Sequence, residues 1–315
     1  MSSFQTLIEQ AFTEVDPKTK KKVTNVHDVK GKYEFKNADK FTLDLDNRDF
    51  NNFKTLFTVK PQGGGTGNGE VALFWLFGGM KQNSNTKHLG KVGQPDLLLY
   101  NDYVEVKAYD TKTIKVGKFE SQKEFTTMLT IIFSISNFVS KDNELLTTSS
   151  FNFEKVKKAA DNFCITREAL LSAKSKMTPE DQKVFESLEI FSGILKKAEL
   201  FDDIASRIGL NNIVCNPKNK ERAGGEKIAT EILKYGVSSV LKKKPGGGGG
   251  QRRTGYFCVI SSSTGSFAET TAITFYKIIN EDGTLNFNKN QLDKLPSSVS
   301  ITSSNLFINF QDLYS

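Results

Sequence analysis

Residues 96–108 read DLLLYNDYVEVKA, two short apolar runs on either side of Asn101-Asp102. Runs rich in leucine, valine and tyrosine that flank a turn-forming pair are typical of a β-hairpin. We therefore predict antiparallel strands over 96–100 and 103–108, with the turn at Asn101-Asp102.

The predicted hairpin separates polar from apolar side chains, because successive residues of a strand point to opposite faces. A turn at Asn101-Asp102 would pair Tyr100 with Tyr103 and bring Asp96 opposite Lys107. One face would then carry Asp96, Leu98, Glu105 and Lys107, and the other Leu97, Leu99, Val104 and Val106. Charges in an otherwise apolar strand pair are costly to bury unless they are paired or bind a metal, which indicates a functional role.

The charged face suits metal-assisted cleavage of a phosphodiester bond. Carboxylates such as Asp96 and Glu105 can hold Mg²⁺, which polarises a phosphate and lowers the pKa of a bound water. A lysine at position 107 can orient or deprotonate that water and offset the charge on the pentavalent phosphate. Glu70 follows the glycine-rich stretch 63–69 and opens an apolar helix, so it is a candidate for a further carboxylate.

These residues carry a family resemblance. Pro95-Asp96, followed after a short strand by Glu105-Val106-Lys107, resembles the signature of the PD-(D/E)xK, or restriction-endonuclease-like, nucleases. The resemblance implies that Asp96 and Glu105 bind the metal and that Lys107 activates the water. It also implies Mg²⁺ as the cofactor, with Mn²⁺ able to substitute.

Two further positions extend the resemblance. Gly69-Glu70, at the start of an apolar helix, is similar to the upstream acidic motif of the same superfamily, which implies Glu70 as an auxiliary metal ligand. Gln122, within FESQKEF after the hairpin, matches more loosely a position where many members carry glutamine or lysine, and we include it among the catalytic candidates. The resemblance covers about residues 50–140.

The expected fold is an α/β restriction-endonuclease-like core, a mixed β-sheet flanked by helices. We assign residues 1–145 to this core and 146–243 to a mainly helical region. Residues 244–253 are predicted to form a flexible, basic, glycine-rich loop. Residues 254–315 are predicted to be β-rich, and they either decorate the core or extend its sheet.

Local patterns predict elements outside the hairpin. Helices are expected over 3–14, 48–57 and 118–139, and Thr178 has the residue type and context of a helix N-cap. Strands are expected in YFCVIS, AITFYKII and SITSSNLFINF, after residue 254. The lysine run at 18–22 is interpreted as a solvated loop. The glycine stretch 63–69 lacks the lysine-serine/threonine ending of a phosphate-binding P-loop, so nucleotide binding is not expected there.

Composition restricts the class of protein and its partners. The chain has a formal net charge of +7, and only six of its 43 basic residues are arginine. Lysine suits phosphate contacts better than the reading of guanine edges, so DNA binding mainly through the backbone is expected. The three widely spaced cysteines, with no CxxC pair, argue against a disulfide framework or a structural zinc site.

We expect a protein that is not secreted and does not bind membranes, because neither a signal peptide nor a long apolar run is apparent. The predicted function is Mg²⁺-dependent, endonucleolytic hydrolysis of DNA by a phage-encoded enzyme, located in the bacterial cytoplasm or associated with the virion. A type II restriction endonuclease and a non-catalytic virion or DNA-binding protein are the alternatives. Association as a homodimer or with phage proteins stays open.

Two structural interpretations of the charged residues also stay open. Glu105 and Lys107 fit a solvent-facing pair on an edge strand, where lysine protects against aggregation. Glu70 fits an acid that complements the positive end of a helix dipole.

Overall fold

The computed structural model describes residues 4–29, 31–58, 68–77, 96–100, 102–109, 113–118, 123–139, 150–151, 153–210, 224–243, 254–261, 271–302 and 305–315. The predictions for the basic loop at 244–253, for Gln122 and for Asn101 lie outside the described residues.

The elements in chain order are α1 (Phe4–Ala11), β1 (Thr13–Val15), β2 (Lys22–Thr24), β3 (Lys40–Leu43), α2 (Asn47–Thr58), α3 (Asn68–Phe77), β4 (Leu97–Leu99), β5 (Asp102–Tyr109), β6 (Ile114–Lys118), α4 (Lys123–Val139), β7 (Ser150–Phe151), α5 (Phe153–Ser175), α6 (Pro179–Ser187), α7 (Glu189–Arg207), α8 (Gly224–Lys243), β8 (Gly255–Ser261), β9 (Ala272–Ile279), α9 (Lys289–Ser298), β10 (Val299–Thr302), β11 (Asn305–Ile308) and α10 (Phe310–Leu313).

The chain divides into two compact units. The first unit comprises Met1–Ile114, Leu241–Lys289 and Asn309–Ser315, and the second comprises Lys115–Val240 and Asn290–Ile308. Both units therefore combine segments that are distant in sequence.

The first unit is built on a mixed five-stranded sheet with the order β3-β9-β8-β5-β4. The pair β5–β8 is parallel, and the other neighbours are antiparallel. The runs YFCVIS and AITFYKII, predicted as strands, form most of β8 and β9 and lie in the same sheet as the hairpin. The protein thus has a mixed α/β fold with a mixed sheet.

Helices cover the sheet of the first unit on both faces. One face packs its buried side chains, including Leu97, Val104 and Phe275, into a core shared with α1, α2 and α3. On the opposite face, Phe310 of α10 stacks on Tyr276, with ring centroids 5.1 Å apart. Leu99 is also fully buried in the α1–α3 core, so the predicted apolar face of the hairpin is confirmed.

The predicted register of the hairpin is wrong by two residues. The observed partners are Leu97↔Val104, Leu98↔Tyr103 and Leu99↔Asp102. Tyr100 lies in the turn with a positive φ of 47°, and Asp102 already belongs to β5. Because a two-residue shift leaves every side chain on its original face, the alternation of polar and apolar residues does not distinguish the two registers.

The N-terminal region differs from its prediction. The first helix ends at Ala11 rather than at residue 14, because Thr13–Val15 forms β1. The lysine run at 18–22, interpreted from sequence as a simple loop, instead forms the turn of a β-hairpin and the first residue of β2.

The second unit combines helices α4 to α8 with a four-stranded sheet of order β6-β11-β10-β7. Of the helix predicted over 118–139, the structure describes Lys123–Val139 as α4, whereas Lys118 belongs to β6. Ile114 and Val116 are buried while Lys115 is exposed, an alternation that suits a strand. The predicted cap is confirmed: the Thr178 side chain accepts a hydrogen bond from the backbone N–H of Asp181.

Candidate active site

The structure holds two carboxylates at the same part of the hairpin. Asp96 immediately precedes β4, and the observed pairing of Leu97 with Val104 excludes the predicted pairing of Asp96 with Lys107. The Asp96 carboxylate instead contacts the backbone of Val106, the residue after Glu105.

Asp96 lies just before β4 and turns towards the backbone of β5. Its Oδ2 accepts a hydrogen bond of 2.7 Å from the backbone N–H of Val106. This contact ties the end of β4 to the segment between Glu105 and Lys107, so it holds the Asp96 carboxylate beside the other two candidates.

Glu105 is buried, with 1% of its surface exposed. Its Oε1 accepts a hydrogen bond of 2.7 Å from Nζ of Lys107, whose side chain is 20% exposed. Side chains two residues apart on a strand share a face, which is why this contact forms within a single strand. The lysine offsets the charge that burial of the Glu105 carboxylate would otherwise leave in a poorly solvated position.

The position of β5 excludes the interpretation of Glu105 and Lys107 as a pair on an edge strand. β5 lies between β4 and β8, with Glu105 in register with Phe257 of β8. An interior strand needs no charged side chains to prevent pairing with another chain. The edge-strand interpretation is therefore wrong, and the buried acid–lysine pair needs another explanation.

Glu70 lies in the first turn of α3 and is only 5% exposed. A Cβ added at Gly69 would lie 2.8 Å from Cδ1 of Ile260 and 3.1 Å from Cγ1 of Val106. The absence of a side chain at Gly69 thus allows the start of α3 to lie close against β5 and β8. The burial of Glu70 also distinguishes it from an ordinary solvated acid at a helix N-terminus.

The candidate site residues lie on different faces of β5. The start of α3 packs on the face that carries Val106, whereas Glu105 and Lys107 project from the opposite face. The structure thus joins Glu105 to Lys107 directly, holds Asp96 against the intervening backbone and places Glu70 beside the same strand.

The donor set suits a hard divalent cation. Asp96 and Glu105 present carboxylate oxygens, which Mg²⁺ prefers, and a cation would reduce the repulsion between neighbouring acids. Within the described residues, no group of three or more histidine, cysteine, aspartate or glutamate side chains is arranged to hold a metal ion. A metal would therefore be held by these two carboxylates, and the structure does not bring Glu70 into one metal-holding group with them, because the start of α3 packs on the other face of β5.

A second cluster of ionisable groups was not predicted from the sequence. It surrounds Asp49 of α2, which is fully buried and accepts hydrogen bonds from Nζ of Lys32 and from the hydroxyl of Tyr33. Nε2 of His27 lies 3.2 Å from Oδ1 of the same carboxylate, and Lys32 also contacts Asp46. No local sequence pattern marks this cluster, because its members meet only through the fold.

The charges around Asp49 stabilise one another. Burial raises the pKa of Asp49, but the hydrogen bonds from Lys32 and Tyr33 outweigh burial and hold the pKa below its ordinary value of 3.8. The hydrogen bonds to Asp46 and Asp49 raise the pKa of Lys32 above its ordinary value of 10.5. Both groups are therefore charged at neutral pH.

Comparison with known proteins identifies no relative: no family model, curated protein or solved structure matches the chain. Among the described helices, none combines the length and the apolar character needed to cross a bilayer.

Proposed function

We propose that the protein is a metal-dependent phosphodiesterase that hydrolyses DNA, with a restriction-endonuclease-like core and a PD-(D/E)xK site. One observation carries the proposal: a buried glutamate and a lysine form an ion pair on an interior strand, and the backbone between them holds an aspartate. An ion pair in this position contributes little to stability compared with apolar packing, so a catalytic role explains it better.

Each residue has a distinct part in the proposed reaction. Asp96 and Glu105 would hold the cation, whereas Glu70, implied by the resemblance as an auxiliary ligand, belongs to a helix whose start packs on the other face of β5. When bound, Mg²⁺ would polarise the scissile phosphate and lower the pKa of the attacking water. Lys107 donates a hydrogen bond to Glu105 and is partly exposed, so its ammonium can also orient the attacking water and offset charge on the phosphate.

The biological setting is part of the same proposal. Lysine-rich composition and a net charge of +7 favour a polyanionic substrate contacted through its backbone. A phage-encoded endonuclease is the setting we propose, and a type II restriction enzyme is the alternative with the same chemistry. A non-catalytic DNA-binding protein is the alternative from another class.

The test is cleavage of DNA by the purified full-length chain. Supercoiled, linear and single-stranded DNA are incubated with Mg²⁺ or Mn²⁺, and the products are compared with those of the Lys107→Ala variant and of an EDTA control. We expect metal-dependent cutting that falls by at least about 100-fold in the variant, because one group that stabilises the transition state is removed.

The matched control is Lys115→Ala, which removes an exposed lysine from strand β6 of the other sheet. It should cut like the wild type. Absence of metal-dependent cutting on every DNA and RNA substrate, by a protein shown to be folded, would contradict the proposal and favour the non-catalytic alternative.

A further inference from the structure

A narrow β-ribbon projects from the first unit. Strands β1 and β2 pair antiparallel with the register Thr13↔Thr24, Glu14↔Val23 and Val15↔Lys22, and they form a two-stranded sheet of their own. From residue 14 to residue 26, every residue except Asp16 is exposed. A ribbon exposed along both strands buries little apolar surface, so packing against the rest of the protein does not account for its presence.

The tip of the ribbon is strongly basic. Lys18, Lys20, Lys21 and Lys22 are all exposed, and within the described part of the chain none of their ammonium groups forms an ion pair. The ribbon carries two acids, Glu14 and Asp16, so its charge is net positive and concentrated at the turn.

The turn holds these lysines in a defined arrangement. Oδ1 of Asp16 accepts hydrogen bonds from the backbone N–H groups of Lys18 and Thr19, at 2.7 and 3.1 Å. The backbone N–H of Lys20 donates to the carbonyl of Asp16, and Lys20 adopts a left-handed φ of 54°. The acid nearest the tip is therefore used to order the turn rather than to neutralise a lysine.

Both ends of the ribbon are anchored on α3, the helix that begins beside Glu70. Before β1, the ring of Phe12 lies 6.3 Å from the ring of Trp75. After β2, the carbonyl of His27 accepts a hydrogen bond of 2.9 Å from Nε1 of Trp75. Trp75 is itself buried in the core, so the ribbon has a rigid attachment to the helix that carries a candidate site residue.

We propose that the ribbon β1–β2 is an arm that binds the phosphate backbone of the nucleic-acid substrate. The inference rests on the proposed nuclease function, for which it supplies a substrate contact. A two-stranded ribbon fits the width of a DNA groove, and lysines at its tip can contact the phosphates that border the groove. The exposed side chains of Val15, Val23 and Val26 give the strands an uncharged surface below the basic tip.

The experiment measures binding rather than cutting. A variant with Lys18, Lys20, Lys21 and Lys22 all replaced by glutamine is compared with the wild type for binding of a fluorescently labelled duplex DNA in EDTA, over a range of salt concentrations. We expect affinity to fall at least about tenfold at low salt, and the slope of log K against log salt to decrease in magnitude by about 3 to 4.

The control variant loses the same number of positive charges at positions outside the ribbon. Lys176, Lys183, Lys196 and Lys289 are also exposed, and replacing these four by glutamine gives the same net charge as the ribbon variant. The control should keep most of the affinity and the slope. Equal losses in the two variants, or no loss in the ribbon variant, would overturn the inference, provided that circular dichroism shows both to be folded.

The same proteins distinguish this inference from the proposed function. Cutting by the wild type together with unchanged binding by the ribbon variant would reject the arm but keep the nuclease. Loss of DNA binding in the ribbon variant of a protein that does not cut would support the arm and reject the nuclease. Ribbon-dependent binding to phosphatidylserine vesicles without binding to DNA would overturn the arm in favour of a membrane contact.

Discussion

Asp49 and Glu105 are buried carboxylates of the first unit. Both contact a lysine, but their other neighbours differ. Each has almost no exposed surface, and each accepts a hydrogen bond from a lysine ammonium. Asp49 is also contacted by the Tyr33 hydroxyl and lies near the His27 ring. Glu105 instead precedes Val106, whose backbone N–H donates a hydrogen bond to a second carboxylate, Asp96.

The two sites show how a buried acid that stabilises the folded state differs from one that destabilises it. Hydrogen bonds from Lys32 and Tyr33 favour the charged form of Asp49 and lower its pKa. Neighbouring carboxylates repel each other, so the pair Asp96 and Glu105 costs stability unless a cation binds. We infer that Asp49 maintains the fold, whereas Glu105 is retained for chemistry.

Matched isosteric variants of Glu105 and Asp49 should give the largest effect and distinguish the two roles. Glu105→Gln should reduce metal-dependent cutting by at least about 100-fold, because it removes a charged metal ligand. Asp49→Asn should leave the activity per folded molecule within a few-fold of wild type. It should lower the free energy of unfolding by about 1–3 kcal/mol, because two donors lose a charged acceptor. Nuclease assays and urea unfolding measure both quantities.

The urea midpoint of Glu105→Gln tests the same assignment of roles. Removing one of two neighbouring acid charges should offset the loss of the charged acceptor of Lys107, so the urea midpoint should fall less than in Asp49→Asn. If Glu105→Gln instead destabilised the protein as much as Asp49→Asn while activity survived, the assignment of roles would have to be reversed.

A smaller effect concerns pH. Because the folded pKa of Asp49 lies below 3.8, its contribution to stability is complete above that value and is lost as the pH falls through the folded pKa. For Lys32, whose pKa is raised, the contribution is complete below 10.5 and is lost as the pH rises through the folded pKa. The destabilisation caused by Asp49→Asn should therefore be constant between about pH 5 and 9.

Urea unfolding of the wild type and Asp49→Asn at several pH values measures this dependence. The difference between the two proteins should shrink below pH 3.8, where the wild type also loses the charge. A difference that stayed constant down to the acid unfolding transition would show that folding does not lower the pKa of Asp49.

The smallest effect is a difference in the labelling of a buried thiol. Burial raises the pKa of Cys258 well above its ordinary value, and its side chain lies beside Val106 in the sheet. Iodoacetamide should therefore modify Cys258 of the native wild type slowly. Asp49→Asn should accelerate this modification by increasing transient opening, whereas Glu105→Gln should not.

Mass spectrometry of peptides that contain Cys258 measures the labelling rates. The half-buried Cys164 of the second unit is an internal comparison, since neither substitution lies in that unit. If both variants accelerated the labelling of Cys258 equally, the two carboxylates would stabilise the sheet to the same extent.

Sequence reasoning located the hairpin and its faces but not its register. The alternation over residues 96–108 correctly predicts that Leu97, Leu99 and Val104 enter the core. It cannot separate two registers that differ by two residues, because both bury the same side chains. The contact of Asp96 therefore had to come from the structure, where its carboxylate accepts from the backbone of Val106 and does not pair with Lys107.

The lysine ribbon shows a different limit of local reasoning. A run of charged residues predicts solvent exposure, and all four lysines are exposed. Whether such a run is a simple loop or the tip of a ribbon depends on Asp16 and on the pairing of Thr13 with Thr24, whose hydroxyls lie 2.7 Å apart.

By itself, the sequence determined that an aspartate, a glutamate and a lysine share one face of an apolar hairpin, because strand alternation is a local property of the backbone. Only the tertiary structure decided that β5 is an interior strand, since its partner β8 lies about 150 residues further along the chain. The same holds for the cluster around Asp49. Pairings between distant segments depend on how whole elements pack, and no local pattern of residue types encodes them.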